Sequence, residues 1–175
     1  MQRQPLPKQV DARRFATSGV DVTGFLSVKS LPRFVEGLAS DDGDVDVELH
    51  FYRDEQGFYR IDGRACAQVS LLCQRCLQGM PGQVDADFEL ALVWNDDQAK
   101  ALPRSLDPVV VGEEMLELAE VVQDELIVST PYVSYHALSD CPAADAVKGD
   151  QEVDSDETPQ RESPFSVLGK LKSPD

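Results

Sequence analysis

Between Asp44 and Trp94 the chain alternates apolar and polar residues along nearly its whole length, a pattern that fits paired strands with one dry face and one wet face. Val45, Val47, Leu49 and Phe51 alternate with Asp44, Asp46, Glu48 and His50. After Gln56 and Gly57, the positions Tyr59, Ile61, Ala65, Ala67, Val69, Leu71 and Cys73 are mostly apolar, with Arg60, Asp62, Arg64, Gln68 and Ser70 between them. Val84, Ala86, Phe88, Leu90, Leu92 and Trp94 then alternate with Asp85, Asp87 and Glu89. A helix would scatter these two sets around its axis, whereas a strand sends them to opposite faces. The expected core is an antiparallel sheet, with a hairpin turn over 77–82.

The flanks read differently. Residues 1–14 are polar and contain Pro5 and Pro7, which suggests a loose N-terminal arm. Val20, Val22, Leu26 and Val28 share one parity and mark another half-buried strand. Ser30 is placed to cap a short helix carrying Leu31, Phe34, Val35 and Leu38, with Pro32 in its first turn. Residues 95–105 read as a polar loop, and Val109, Val110 and Val111 as a short strand. Met115, Leu118, Ala119, Val122 and Leu126 recur at helical spacing, and that helix should stop before Pro131. From 142 to 175 the composition is that of an acidic, disordered tail, ending in an apolar-basic stretch from Pro164 to Lys172. The fold class expected is α+β, mainly an antiparallel sheet with two helices, in a single domain over 15–141.

Charge bounds the function. Acids outnumber bases 32 to 16, a net charge of -16. A protein that binds by neutralising phosphates needs the opposite balance. Basic proteins are better partners electrostatically, although acidity alone also serves solubility. No apolar run is long enough to span a bilayer, and the first residues lack the apolar core of an export signal. A cytoplasmic protein with no membrane partner is expected.

Four cysteines occur: Cys66, Cys73, Cys76 and Cys141. In a reducing compartment metal or redox use is a better reading than disulfides. Cys73 and Cys76 form a CxxC at a strand end, a turn that can hold two thiolates on one ion. With His136 and Cys141 they make a candidate structural zinc site of three sulfurs and one nitrogen. Cys66 has the opposite parity to Cys73 and is the weakest ligand candidate. The bland alternative is that Cys73 and Cys76 are small buried hydrophobes and His136 a surface residue. A thioredoxin-like role would need the CxxC at a helix start.

Other chemistry is sparse. No phosphate-cradling glycine loop and no HExxH or GxSxG motif occurs. Arg60, Arg64 and Arg75, near Phe51, Tyr52, Phe58 and Tyr59, are candidate RNA contacts, but Asp54, Glu55 and Asp62 nearly cancel their charge. The second helix carries Glu113, Glu114, Glu117, Glu120, Asp124 and Glu125. Glu117, Glu120, Asp124 and Glu125 are the candidate docking residues for a basic partner, against the plainer reading of a solvated face.

Several of these motifs, in their order, resemble the bacterial YceD-like family. Cys73-Gln74-Arg75-Cys76 is similar to its CxRC, and Gln123-Asp124-Glu125-Leu126-Ile127 leading to Pro131, His136 and Cys141 is similar to its helix-to-loop signature. Asp97-Gln98-Ala99-Lys100-Ala101-Leu102-Pro103 and Pro164-Phe165-Ser166-Val167-Leu168 are also alike. The family loop often has a second proline where this chain has Ser134. The resemblance implies a non-enzymatic accessory role in synthesis, processing or stability of 23S rRNA. Its partners would be ribosomal or ribosome-assembly proteins, or the 23S rRNA precursor itself. The rival expectations are a metal- or thiol-dependent RNA-processing enzyme and a direct RNA-binding chaperone.

Overall fold

A computed structural model describes residues 4–111 and 115–144. Glu113, Glu114 and the tail from residue 145 onward lie outside the described residues, so the expected acidic tail is not described beyond its first residues.

The alternating segments become the three long strands β3 (Asp44–Arg53), β4 (Tyr59–Leu72) and β5 (Gly79–Val93). They pair antiparallel, with Val47 opposite Ala65 and Ala65 opposite Ala86, so apolar positions meet apolar positions and one face is continuous. β2 (Asp21–Ser27) adds antiparallel to β3. β6 (Asp107–Val110) closes the other edge parallel to β5, so the sheet order is β2-β3-β4-β5-β6 and the sheet is mixed at that edge. The antiparallel expectation fails there because β6 returns through a crossover rather than a hairpin. The turn between β4 and β5 also differs from the expected one. β5 already begins at Gly79, so the CxxC segment makes the reversal.

Four helices are present among the described residues where two were expected. α1 (Ala12–Ser18) starts at Asp11, whose side chain accepts from Arg14 N, and ends at Gly19 in the left-handed conformation at φ 64°. α3 (Asp96–Ala101) starts at Asn95, which accepts from Gln98 N, and carries Asp96 and Asp97 in its first turn and Lys100 in its last. α2 (Pro32–Val35) follows a 3₁₀ turn over Val28–Ser30. Ser30 does not cap it: its hydroxyl donates to Ser27 O at 2.6 Å. The buried Gln123 serves instead, accepting from Arg33 N at 2.8 Å. α4 (Leu118–Ser129) begins three residues after Met115, because Leu116 and Glu117 form β7, paired with β1 (Gln9–Val10).

That pairing overturns the loose arm expected over 1–14. Leu6, Val10 and Ala12 are buried in the core. Leu6 N donates to Phe25 O at 2.9 Å and Phe25 N to Gln4 O at 3.0 Å. The strap lies so close to β2 that a side chain at Gly24 would press on the Leu6 backbone. A few apolar residues spaced among polar ones are enough to tie a segment down, and composition alone hides them.

α1 and α4 pack on the apolar face of the sheet. Phe15 meets Phe51 edge-on at 5.6 Å. Leu118, Val122 and Leu126 of α4 are fully buried, each worth about 1.5–3 kcal/mol relative to exposure. The opposite face stays wet and is lined by Asp21, Glu48, Asp62, Asp87 and Glu89 around His50 and Arg64.

Candidate functional site

β4 delivers Cys73 to the end of the sheet with no exposure, and the chain reverses at once. Leu77 N donates to Cys73 O, and Cys73 N to Gln78 O, both at 2.9 Å. Leu77 takes a positive φ of 58° to close this turn, a conformation that costs a leucine on the order of 1–3 kcal/mol. The reversal swings Cys76 back beside Cys73. On the other side, the chain leaving α4 returns across the strand end, fixed where Gln74 N donates to Ser134 O at 2.8 Å. This return brings His136 and Cys141 to the pair. The ligand atoms of Cys73, Cys76, His136 and Cys141 all lie within 4.8 Å of one another. Cys76 Sγ is 3.3 Å from His136 Nδ1.

The two thiols of the CxxC are shifted in opposite directions. Burial pushes the Cys73 thiol up, but the backbone N–H groups of Cys76, His136 and Arg75, with the His136 ring, more than offset it and hold the group at about 5. Cys76 is pushed up, by burial first and then by Cys73 and Cys141 beside it. Packed thiols of this kind cannot all ionise without a positive charge between them. Zinc at ~2.3 Å from sulfur and ~2.0 Å from nitrogen sets ligand atoms roughly 3.5–3.8 Å apart in a tetrahedron, so the cluster fits that ion with a small contraction. Cys66 stands outside the cluster, on the wet face, where its thiol bonds to Asp85.

The segments that carry this knot expose a collar of apolar side chains. Leu72 and Leu77 flank the CxxC turn, and Ile127, Val128, Tyr132, Val133, Tyr135 and Leu138 lie on the end of α4 and the returning loop. They account for eight of the ten large apolar residues exposed among the described residues, and Val110 and Met115 are the others. The Arg75 guanidinium sits 4.9 Å from the Tyr135 ring centre, in stacking contact. Apolar–polar alternation gives no sign of this collar, because alternation follows strands and not returning loops.

Glu120 and Asp124 of α4 form one exposed face with Glu117 at its N-cap. Glu117, Glu120 and Asp124 are exposed and Glu125 is half-buried. Arg33 from α2 bridges Glu120 at 2.7 Å and Asp124 at 2.6 Å. Glu117 accepts from Gln9 Nε2 at 2.7 Å. Glu125 is pushed up, first by burial and then by Asp107 and Asp124. No sequence spacing marked Arg33, which reaches this face from 87 residues away.

The three candidate RNA-contact arginines do not assemble into a patch. Arg60 is buried and engaged by Glu89 at 3.2 Å and Asp54 at 3.7 Å. Arg64 faces solvent beside Asp87 at 3.7 Å. Arg75 lies beyond the end of the strand, in the knot. The expected aromatic companions are spoken for as well: Phe51 is core, Tyr59 packs on Trp94 at 5.0 Å, and Tyr52 stacks on His50 at 5.2 Å.

Comparison with known proteins agrees with the resemblance read in the motifs. A family model described as "Large ribosomal RNA subunit accumulation protein YceD" matches residues 61–172. A Haemophilus influenzae protein of that same name is 33% identical over 175 residues, covering 98% of this chain and 99% of the relative. No solved structure is detectably similar. The matched span contains the CxxC turn, α4 and the loop with His136 and Cys141, and the chain belongs to the YceD family.

Proposed function

We propose that this protein is a cytoplasmic, non-catalytic accessory factor that supports synthesis, processing or stability of 23S rRNA during large-subunit biogenesis. It acts by docking a basic ribosomal or assembly protein on the α4 face. The observation that carries this is the cluster Glu117, Glu120, Asp124 and Glu125 on one side of a helix, answered among the described residues by the single cation Arg33. In a chain of net charge -16, such a face attracts lysine-rich surfaces and repels phosphate. The name carried by the Haemophilus relative supports the ribosomal setting. The test is capture of large-subunit proteins from cells by the wild-type chain and by Glu117→Lys/Glu120→Lys. A basic large-subunit protein held by the first and lost by the second supports the reading. Equal recovery by both removes the face from the account.

The second element of the proposal is a structural zinc ion held by Cys73, Cys76, His136 and Cys141. Four protein ligands leave no open position for a catalytic water, so such an ion would serve as a staple for the returning loop. The thiol-enzyme alternative would use the low-lying Cys73. A nucleophile needs access, however, and Cys73 is fully buried. Its depressed thiol supports metal ligation instead.

A further inference from the structure

The exposed face of α4 has two chemically distinct ends. Glu120, Asp124, Ile127 and Val128 fall within roughly a 100° arc at 3.6 residues per turn, so they form one stripe along the helix, with Glu117 at the N-cap ahead of it. The stripe is acidic over its first two turns and apolar over its last. At its apolar end it runs into the collar: Val128 is 81% exposed, Tyr132 97% and Leu138 61%. A surface like this, left to water, is larger and more apolar than single scattered residues explain. It calls for an occupant that is apolar at one end and basic at the other.

The chain contains one. The described residues end at Ala144, next to Cys141 and therefore at the collar itself. In the sequence that follows, Val147 and Val153 stand alone, and the remaining large apolar residues gather in one place, Phe165, Val167, Leu168 and Leu171, with Lys170 and Lys172 closing the same stretch. The order is apolar first, basic second. Traced from the knot toward the start of α4, the surface offers apolar collar first and carboxylates second. From Val128 back to Glu117 the helix covers about 16 Å at 1.5 Å per residue. A stretch from Phe165 to Lys172 spans from ~10 Å as helix to ~23 Å extended, which brackets that length. The connection from 145 to 163 is long enough, since even ~1.5 Å per residue carries it past the length of α4.

We propose that residues 164–172 dock in cis on the α4–knot surface, with Phe165 and Leu168 on the collar and Lys170 and Lys172 toward Asp124, Glu120 and Glu117. The segment covers the apolar collar and holds the acidic face until a more basic surface displaces it. This does not rest on the identity of the external partner: capture of a ribosomal protein can succeed or fail independently of it.

The test uses the full chain. Unlabelled and fully ¹⁵N-labelled protein are mixed and treated with a zero-length carbodiimide, which joins lysines to carboxylates in contact. Cross-links from Lys170 or Lys172 to Asp124, Glu120 or Glu117 are expected, always between peptides of one isotope. They should vanish in Phe165→Asp/Leu168→Asp, and amide exchange over 127–138 should accelerate at least tenfold in that variant. Lys170→Glu/Lys172→Glu, which leaves the apolar residues in place, should give a smaller acceleration. Absence of these cross-links overturns the proposal, as does unchanged exchange in both variants. Cross-links between unlike isotopes would also overturn it, assigning the surface to a second copy.

Discussion

Removal of the proposed zinc ion should melt one loop and leave the sheet standing. The returning loop over 131–141 buries a single side chain, Cys141, among mostly exposed neighbours. Its ties to the body, apart from the four ligand residues, include one backbone hydrogen bond, Gln74 N to Ser134 O, and the Arg75–Tyr135 stack. These are worth about 1 kcal/mol each. Fixing that backbone costs on the order of 10–20 kcal/mol at ~1–2 kcal/mol per residue. The deficit matches the roughly 10–16 kcal/mol that structural zinc supplies in small peptides. The sheet core, by contrast, draws on β3, β4, β5 and α4 and does not need the loop. Chelation, or Cys141→Ser, should therefore raise amide exchange over 131–141 to near that of an open chain while exchange in β3–β5 stays slow. Hydrogen exchange by mass spectrometry reads both regions in one experiment, and metal analysis gives the stoichiometry, expected at one zinc per chain. Protein purified without metal but with a protected loop would refute the reasoning. So would cooperative loss of the whole sheet on chelation.

Three further outcomes follow from particular contacts. Gln123→Ala leaves the N–H groups of Arg33 and Phe34 without their acceptor at a buried site, and should cost about 2–4 kcal/mol in urea unfolding. Gly63→Ala drives a methyl group into the Phe88 ring packed over it, and should cost about 1–3 kcal/mol through overpacking, read as a lower melting temperature. Glu125 titrates above its ordinary range because burial, then Asp107 and Asp124, disfavour its charged form. A raised carboxyl favours the folded state at acidic pH, and this advantage is lost as pH rises through the folded-state value. Glu125→Gln should therefore raise the melting temperature at pH 7, with a gain that fades as pH falls toward 4.

The strands were legible because alternation is a local signal with a direct geometric cause. Val45 to Phe51 and Val84 to Leu90 are buried at alternate positions as the pattern requires, and the end of β5 from Leu90 to Val93 is buried on both faces. The helices α1 and α3 were not read, because neither presents an apolar stripe long enough to register. Their cues lay in the caps instead, Asp11 with Gly19 and Asn95 with Gln98. The parallel pairing of β6 with β5 is a property of the crossover and leaves no mark in residues 107–110. The candidate site was legible as residue types: Cys73, Cys76, His136 and Cys141 were nominated on donor chemistry, and the fold brings them together. The arginines could not be read the same way. Parity places Arg60 on the wet face, but only the tertiary structure supplies Asp54 and Glu89 to engage it. The collar around the knot arises where two distant segments meet, so no single stretch of sequence announces it.

On our proposal this acidic body works by meeting positively charged protein and neither grips RNA nor cleaves it. Cross-linking in living cells, with both protein and rRNA positions read out, tests it most directly. The account predicts cross-links from the carboxylates of α4 to lysines of a basic large-subunit or assembly protein, weakened by Glu117→Lys/Glu120→Lys. Cross-links confined to 23S rRNA and centred on Arg60, Arg64 or Arg75 would contradict it.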